Sequence, residues 1–399
     1  MPLPVLAMML CTFCVGTAES VIAGILPNIA EHVGVSLSAV GMLISVYALV
    51  VVVAGPCLTV LTARFPRAVL LPAMMGVFIL GNVIAALAPD FGWLVAGRVV
   101  SALSHSTLIA VFVAAARDMA PPDRRAASGA KVTLGIGLAT VVGVPAGTVV
   151  GDNWGWRATF WALAVLSLLS TLLLLRHTAP PAPADAPGAP PATTAGRRRF
   201  AVPAPMLLVA LVIVLGTGGV FSLYTYASPY LTQGAGFDSS TVTVLLWLYG
   251  LGGIAGNLIG ARAADRHLRT AVLATLGASA AALLLLALLA RSTWAVAVLF
   301  CVLGAAYFAT IPALNSQIVV SAGPTSAAMA LTVNNSAFCV GIALGSWLGG
   351  AILSGGHSVL LVPVGGAALA AGGLVLSAFT SRLLRAKPAA SEPRVPAAV

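Results

Sequence analysis

The sequence predicts an all-α integral membrane protein: twelve transmembrane helices in two six-helix halves. Three observations carry this. The chain is 60% hydrophobic and only 8% charged over 399 residues, against about 25% charged in soluble domains. Its apolar residues gather into twelve runs, each near the roughly 20 residues that a helix needs to cross a bilayer core. The second six runs repeat features of the first at a fixed offset.

The runs span approximately 4–30, 38–63, 68–88, 91–116, 126–150, 156–175, 204–232, 239–263, 270–290, 293–317, 325–354 and 357–381. The longest polar gap, His177 to Pro203, is rich in Pro and Ala and carries Arg197-Arg198-Arg199. That composition makes an extended, poorly ordered linker. The expected organisation is an N-terminal bundle (1–177), a cytoplasmic linker (178–203), a C-terminal bundle (204–383) and a cytoplasmic tail (384–399). A shift of 202 residues carries Gly16 onto Gly218, Pro27 onto Pro229, Arg64 and Arg67 onto Arg266 and Arg269, and Gly143 and Gly147 onto Gly345 and Gly349. A parallel repeat of six helices is an architecture that builds a site between its halves.

Charge sets the orientation. With the N-terminus inside, only Arg157 and Arg291 of the 20 cationic residues face out and Arg98 lies within a span; the reverse puts 17 outside, against the positive-inside rule. The net charge of +10 is therefore a topology signal, and nucleic-acid binding is excluded. Trp93, Trp154, Trp156 and Trp294 then fall at outer helix ends, as an aromatic belt would. Met1-Pro2 opens the chain without a basic stretch, so the first run reads as an uncleaved span. The cysteines, including Cys11-x-x-Cys14, read as small apolar packing residues, and no metal or cofactor is expected.

Within the first run lies Glu19, the one acidic residue deep in an apolar segment. An ionised carboxylate at that depth costs a few kcal/mol or more, which makes it a functional candidate by default. Desolvation favours its protonated form and a nearby cation its charged form, so a proton-coupling role and a fixed interhelical hydrogen bond are the two readings. At about 1.5 Å per residue, Glu19 falls between Arg98 and His105 of the fourth span. Arg98, Ser101 and His105 share one helical face, and Arg98 is either the partner of Glu19 or a snorkelling side chain. Phe221, Tyr224 and Tyr226 in the seventh span, Asn315 and Gln317 in the tenth, and Asn334 and Asn335 in the eleventh are candidate cavity residues, or ordinary interhelical contacts. Small residues recur four apart at Ala139, Gly143, Gly147 and Gly151 around Pro145, and at Gly341, Gly345 and Gly349, a spacing that lets helices approach closely.

A set of motifs carries a resemblance: Gly16-Thr17-Ala18-Glu19 with Leu26-Pro27, Arg64-Phe65-Pro66-Arg67, Arg98-Val99-Val100-Ser101, Thr140 to Gly147 around Val144-Pro145, and Gly155-Trp156-Arg157. Over essentially its whole length the chain resembles the major facilitator superfamily. More narrowly it is similar to the twelve-helix drug:proton antiporters of the bacterial chloramphenicol-exporter type and to neighbouring sugar-efflux permeases. The resemblance implies export of a small amphipathic compound in exchange for protons across the bacterial cytoplasmic membrane, by a monomer; a sugar or metabolite exporter on the same scaffold is the alternative. It implies inner-gate loops at Arg64 and Arg67 and at Asp265 and Arg266, proton exchange assisted by Arg98, and a tight interface between the halves at Gly143, Pro145 and Gly147. Departures from the family pattern are Ala63 where the first loop carries Asp, Pro66 where Gly is usual, and Ser101-Ala102 where Gln-Gly is usual. ATP-driven pumping in cis is excluded because no Gly-Lys dipeptide, and so no Walker A loop, is present. An enzyme is not expected, since neither Gly-x-Ser-x-Gly nor His-Glu-x-x-His occurs.

Overall fold

A computed structural model describes residues 2–62, 65–121, 125–177, 203–322 and 327–386. Arg64, almost all of the 178–203 linker and most of the tail from 384 lie outside the described residues. Apolar helices satisfy their backbone polar groups internally, which the bilayer demands, and no strand occurs among the described residues. Eleven helical segments are long and apolar enough to cross a membrane. The first crosses as α1 (Leu3–Ser20) and α2 (Ile22–Val33); then come α3 (Leu37–Thr62), α4 (Arg67–Leu87) and α5 (Phe91–Asp118). The fifth span is α6 (Arg125–Leu138), a π-turn (Ala139–Gly143) and α7 (Val144–Trp154), and α8 (Trp156–His177) closes the first bundle. The second bundle runs α9 (Ala204–Thr225), α10 (Ala227–Pro229), α11 (Ser239–Leu288), α12 (Thr293–Ser321), α13 (Ala327–Ser354) and α14 (Val362–Ala386).

α11 accounts for the twelfth crossing. It is 50 residues long, about 75 Å of helix, more than twice a bilayer core. The loop expected after residue 263 shrinks to one non-helical residue, His267, at φ −147° and ψ 75°. Asp265 and Arg266 lie exposed at this bend. The corresponding bend of the first bundle carries the one ion pair among the described residues, Arg67 to Asp118 at 2.5 Å. Both partners are at least half exposed, so the pair contributes about 0–1 kcal/mol.

The prolines that threaten the fifth and seventh spans are absorbed by π-turns. One (Ala139–Gly143) precedes Pro145 and another (Tyr230–Gly234) follows Pro229. Each lets the helix continue where a proline removes a donor. The glycine stripe of the fifth span packs within its own bundle rather than between the two: Gly143, Gly147 and Gly151 lie against Thr17, Val21 and Ile25 of the first span. A Cβ at Gly147 would sit 2.5 Å from a Val21 methyl. The second bundle repeats the pairing, with Gly341 against Thr217, Gly345 against the Gly218 backbone and Gly349 against Tyr226. The bundles themselves meet where α3 packs on α13 and where α7 and its π-turn pack on α11. There Gly250 closes on Thr140 and Val141, one face away from the stripe.

The buried core is asymmetric. At the end reached by the start of α3, one continuous apolar cluster takes in residues of both bundles, from Ile22, Val40 and Trp156 to Tyr226, Leu245 and Phe300. At the opposite end, where Leu3 and Ala204 lie, the bundles keep separate cores, one around Met8, Phe78 and Phe112 and the other around Met206, Ile213 and Leu314. The molecule is therefore sealed on one side and parted on the side of its termini. Trp156 belongs to the sealed core at 1% exposure, which corrects its placement in an aromatic belt; Trp93, Trp154 and Trp294 are 56%, 72% and 84% exposed. Trp156 is drawn inward because its ring packs on Phe160 and carries the Arg157 guanidinium 4.3 Å from its centroid.

The seal rests on close contacts. Tyr226 reaches across the seam so that a Cβ at Gly41 would collide with its ring, and the Ser45 hydroxyl donates to the Ala343 carbonyl at 3.0 Å. Gly41→Val must push the ring away, a strain of about 1–3 kcal/mol. In a Cys57→Ser background with spin labels at positions 36 and 354, the interspin distance in Gly41→Val is expected to lengthen and broaden. An unchanged distribution would show that the ring contact does not hold the seal.

Candidate functional site

The site begins at a flaw in the first span. Its helical ladder is interrupted at Val21, although Val21 keeps helical dihedrals (φ −61°, ψ −27°). A helix ending at Ser20 leaves its last carbonyls without intrahelical donors. Arg98, 1% exposed, fills the gap: Nη1 donates to the Ala18 carbonyl at 2.6 Å and Nη2 to the Glu19 carbonyl at 3.4 Å. Arg98 thus neither snorkels nor forms an ion pair with the Glu19 carboxylate. It meets the Glu19 residue at the backbone, because the interrupted ladder offers the stronger need. Its Nε is buried with no hydrogen-bond partner.

The Glu19 side chain is half-buried. Its charge acts on Tyr47, Arg98 and His105 in the first bundle and on Tyr224, Tyr307 and Cys339 in the second. Side chains of both bundles thus lie within electrostatic reach of Glu19. Beside it, the Arg98 guanidinium lies 4.2 Å from the centroid of the Tyr47 ring, a cation–π contact in a dry setting. The Tyr47 hydroxyl in turn meets His105 Nδ1 at 3.0 Å.

A cavity of about 540 Å³ opens next to this chain of contacts, within the range of small-molecule sites. α3 supplies Val51, Val52 and Gly55, α5 supplies His105, Ser106, Ile109, Ala110 and Val113, and α13 supplies Leu331, Thr332, Asn335, Ser336 and Cys339. No Asp, Glu, Lys or Arg stands in this lining. The first bundle lines it mainly with aliphatic side chains, apart from His105 and Ser106, and the second adds hydroxyl and amide groups beside Leu331 and Cys339. Of the residues anticipated from sequence, His105 is in the lining, and so is Asn335, which is exposed into the cavity rather than buried.

The other candidate cavity residues lie elsewhere. Phe221 and Tyr224 belong to an aromatic cluster inside the second bundle, with Tyr249, Phe300, Tyr307 and Phe308 at centroid distances of 4.8–6.2 Å. Tyr226 is fully buried at the seal, its hydroxyl donating to the Ser346 carbonyl at 3.1 Å. Asn334 spends its amide on Asn315, Nδ2 to Oδ1 at 2.7 Å. Tyr47 escaped the sequence reading because it sits in an otherwise aliphatic run; its hydroxyl among Val and Leu was the available signal. Among the described residues no cluster of three or more His, Cys, Asp or Glu is placed to hold a metal.

Two six-helix bundles related by repeat, parted on one side around an uncharged cavity, define a membrane transporter. The sequence profile of the Major Facilitator Superfamily matches residues 8–346, and the chain belongs to that superfamily. It is 36% identical over 383 residues to the inner membrane transport protein YdhP of Escherichia coli, covering 95% of this chain and 96% of that one. It is 34% identical over 269 residues to a chloramphenicol resistance protein of Streptomyces lividans, covering 67% and 68%. Among solved structures, a bacterial homolog of the human lysosomal transporter Spinster, in an inward-facing and unoccupied conformation, superposes with a TM-score of 0.76 at 17% identity, over 97% of this chain and 98% of that one. The protein is a multi-pass membrane transporter and not an enzyme.

The Asn315–Asn334 bond predicts coupling in stability. Asn315→Ala and Asn334→Ala, singly and together, are expected to give a double-mutant coupling of about 0.5–1.5 kcal/mol in denaturant unfolding of the detergent-solubilised protein. Additive effects would show that the amides do not pair.

Proposed function

We propose that this transporter exports a small, uncharged, amphipathic molecule across a bacterial cytoplasmic membrane in exchange for protons, with both termini in the cytoplasm. The observation that carries the reading is the Glu19 carboxylate, the one acid within the apolar spans, whose charge reaches side chains of both bundles. A group at that seam can gain or lose its proton differently when the seam opens on one side or the other. Arg98 and His105 flank it as basic groups, and Arg98 Nε is buried with no hydrogen-bond partner. With the termini inside, the parted side faces the cytoplasm, so cargo enters the cavity there. Opening on the other side then lets Glu19 take a proton as cargo leaves, and return to the first state releases that proton inside.

The driving force suffices. One charge moved across 100 mV is worth about 2.3 kcal/mol, a roughly 50-fold gradient of an uncharged solute. The Streptomyces relative's name supports chloramphenicol as the first compound to try. The cavity is complete within one chain, which supports a monomer. The bends at Arg67 and at Asp265 and Arg266 lie on the parted side, where an inner gate would close, although Arg67 spends its charge on Asp118.

The test is Glu19→Gln in proteoliposomes holding the full chain. Wild type is expected to move chloramphenicol against its gradient when a pH gradient is imposed, and to stop when a protonophore is added. Glu19→Gln is expected to lose gradient-driven movement by about a hundredfold or more, the scale of one general proton-transfer group, while still binding chloramphenicol. Full gradient-driven export by Glu19→Gln would overturn the assignment of the proton site.

A further inference from the structure

We propose that Tyr47 is a positioning residue that fixes the His105 imidazole as an N–H donor toward the cavity, so that the cargo class is a molecule presenting a hydrogen-bond acceptor to α5. The cargo half rests on the exporter reading above; the positioning half does not.

Tyr47 is fully buried and is not among the residues that line the cavity described above. It has two directed contacts. One face of its ring carries the Arg98 guanidinium, and its hydroxyl meets His105 Nδ1. A phenol and an imidazole nitrogen can each donate to the other, so the pair admits two arrangements. The guanidinium decides between them. A cation over the ring face draws electron density from the phenol and makes its O–H the better donor. The hydroxyl therefore donates to Nδ1, and the neutral imidazole carries its hydrogen on Nε2. The T-shaped packing of the two rings, 5.6 Å apart at 80°, holds the imidazole in one orientation while its edge lines the cavity.

The facing wall complements this. Asn335 and Ser336 offer groups that both donate and accept, and Val51, Ile109 and Leu331 take an apolar body. A molecule that fits is uncharged, for want of any counter-charge in the lining, and puts a carbonyl, nitro or ether oxygen on His105. The same contacts run back to the first span: Arg98, which orients Tyr47, is also bonded to the Ala18 and Glu19 carbonyls. Cargo that pulls on the imidazole pulls on the residues that seat Glu19.

The experiment uses the full chain in nanodiscs with ¹⁵N-labelled histidine, the His105 signals being assigned by their loss in His105→Gln. In wild type, His105 is expected as one neutral tautomer with hydrogen on Nε2. In Tyr47→Phe, which keeps the ring under Arg98 and removes the hydroxyl, both tautomers are expected in exchange. Hydrogen on Nδ1 in wild type, or an unchanged His105 signal in Tyr47→Phe, overturns the positioning role. Chloramphenicol is then titrated. It is expected to shift the wild-type Nε2 resonance and to bind about twofold more weakly in Tyr47→Phe, the factor by which two equally populated tautomers dilute the donor form, with no further loss when Tyr47→Phe is added to His105→Gln. Binding that leaves Nε2 unmoved overturns the donor assignment. A wild type that binds no chloramphenicol counts against the exporter reading of this cargo, while the tautomer measurement still decides the role of Tyr47.

Discussion

A guanidinium buried against broken backbone is the interaction on which the site depends. Inside a bilayer an unsatisfied carbonyl costs several kcal/mol, and irregular backbone survives only where protein groups satisfy it. The first span breaks its ladder at Val21, and Arg98 supplies the missing donors to Ala18 and Glu19. Without a donor of that reach the interruption would be too costly. Lysine, a point charge on a flexible stem, could not serve two carbonyls from a fixed fork. Glu19 stands at this interruption, half-buried.

The second constraint is the asymmetry of the core. One apolar cluster spans both bundles on the sealed side, and two separate clusters stabilise them on the parted side. Packed interiors resist gradual deformation, so such a molecule is suited to two discrete packings rather than a continuum. The repeat supplies the means. Within each bundle the small residues of one span lie against the first helix of the same bundle, Gly147 on Val21 and Gly349 on Tyr226, so each bundle is bound as a body. Between the bundles the contacts run along α3 on α13, the fifth span on α11, and α2 on α10, with tight approach at Gly41 and Gly250.

Much of this was legible in the chain. Span count, repeat and the isolation of Glu19 follow from bilayer thickness and from the cost of charge in hydrocarbon, both of which act on sequence directly. The merger of two expected spans into α11 was not, because a loop reduced to His267 leaves no composition signal among the charges of Arg262 to Arg269. Trp156 was misplaced for a related reason: position along a helix tells depth, and depth alone does not separate a ring facing lipid headgroups from one turned into the core.

The sequence by itself determined that the chain is a bundle of membrane-spanning helices in two halves and that one carboxylate falls within an apolar span, since each of these is a matter of length and polarity along one dimension. Only the tertiary structure decided which faces meet: that Arg98 seats on backbone and not on carboxylate, that Asn315 and Asn334 take each other, that Tyr226 closes the seam, and that the cavity opens on the His105 and Asn335 faces. Helices apolar on every side carry no stripe to point inward, so facing is settled by packing, where close approach at glycines and the demand of every buried polar group for a partner select one arrangement.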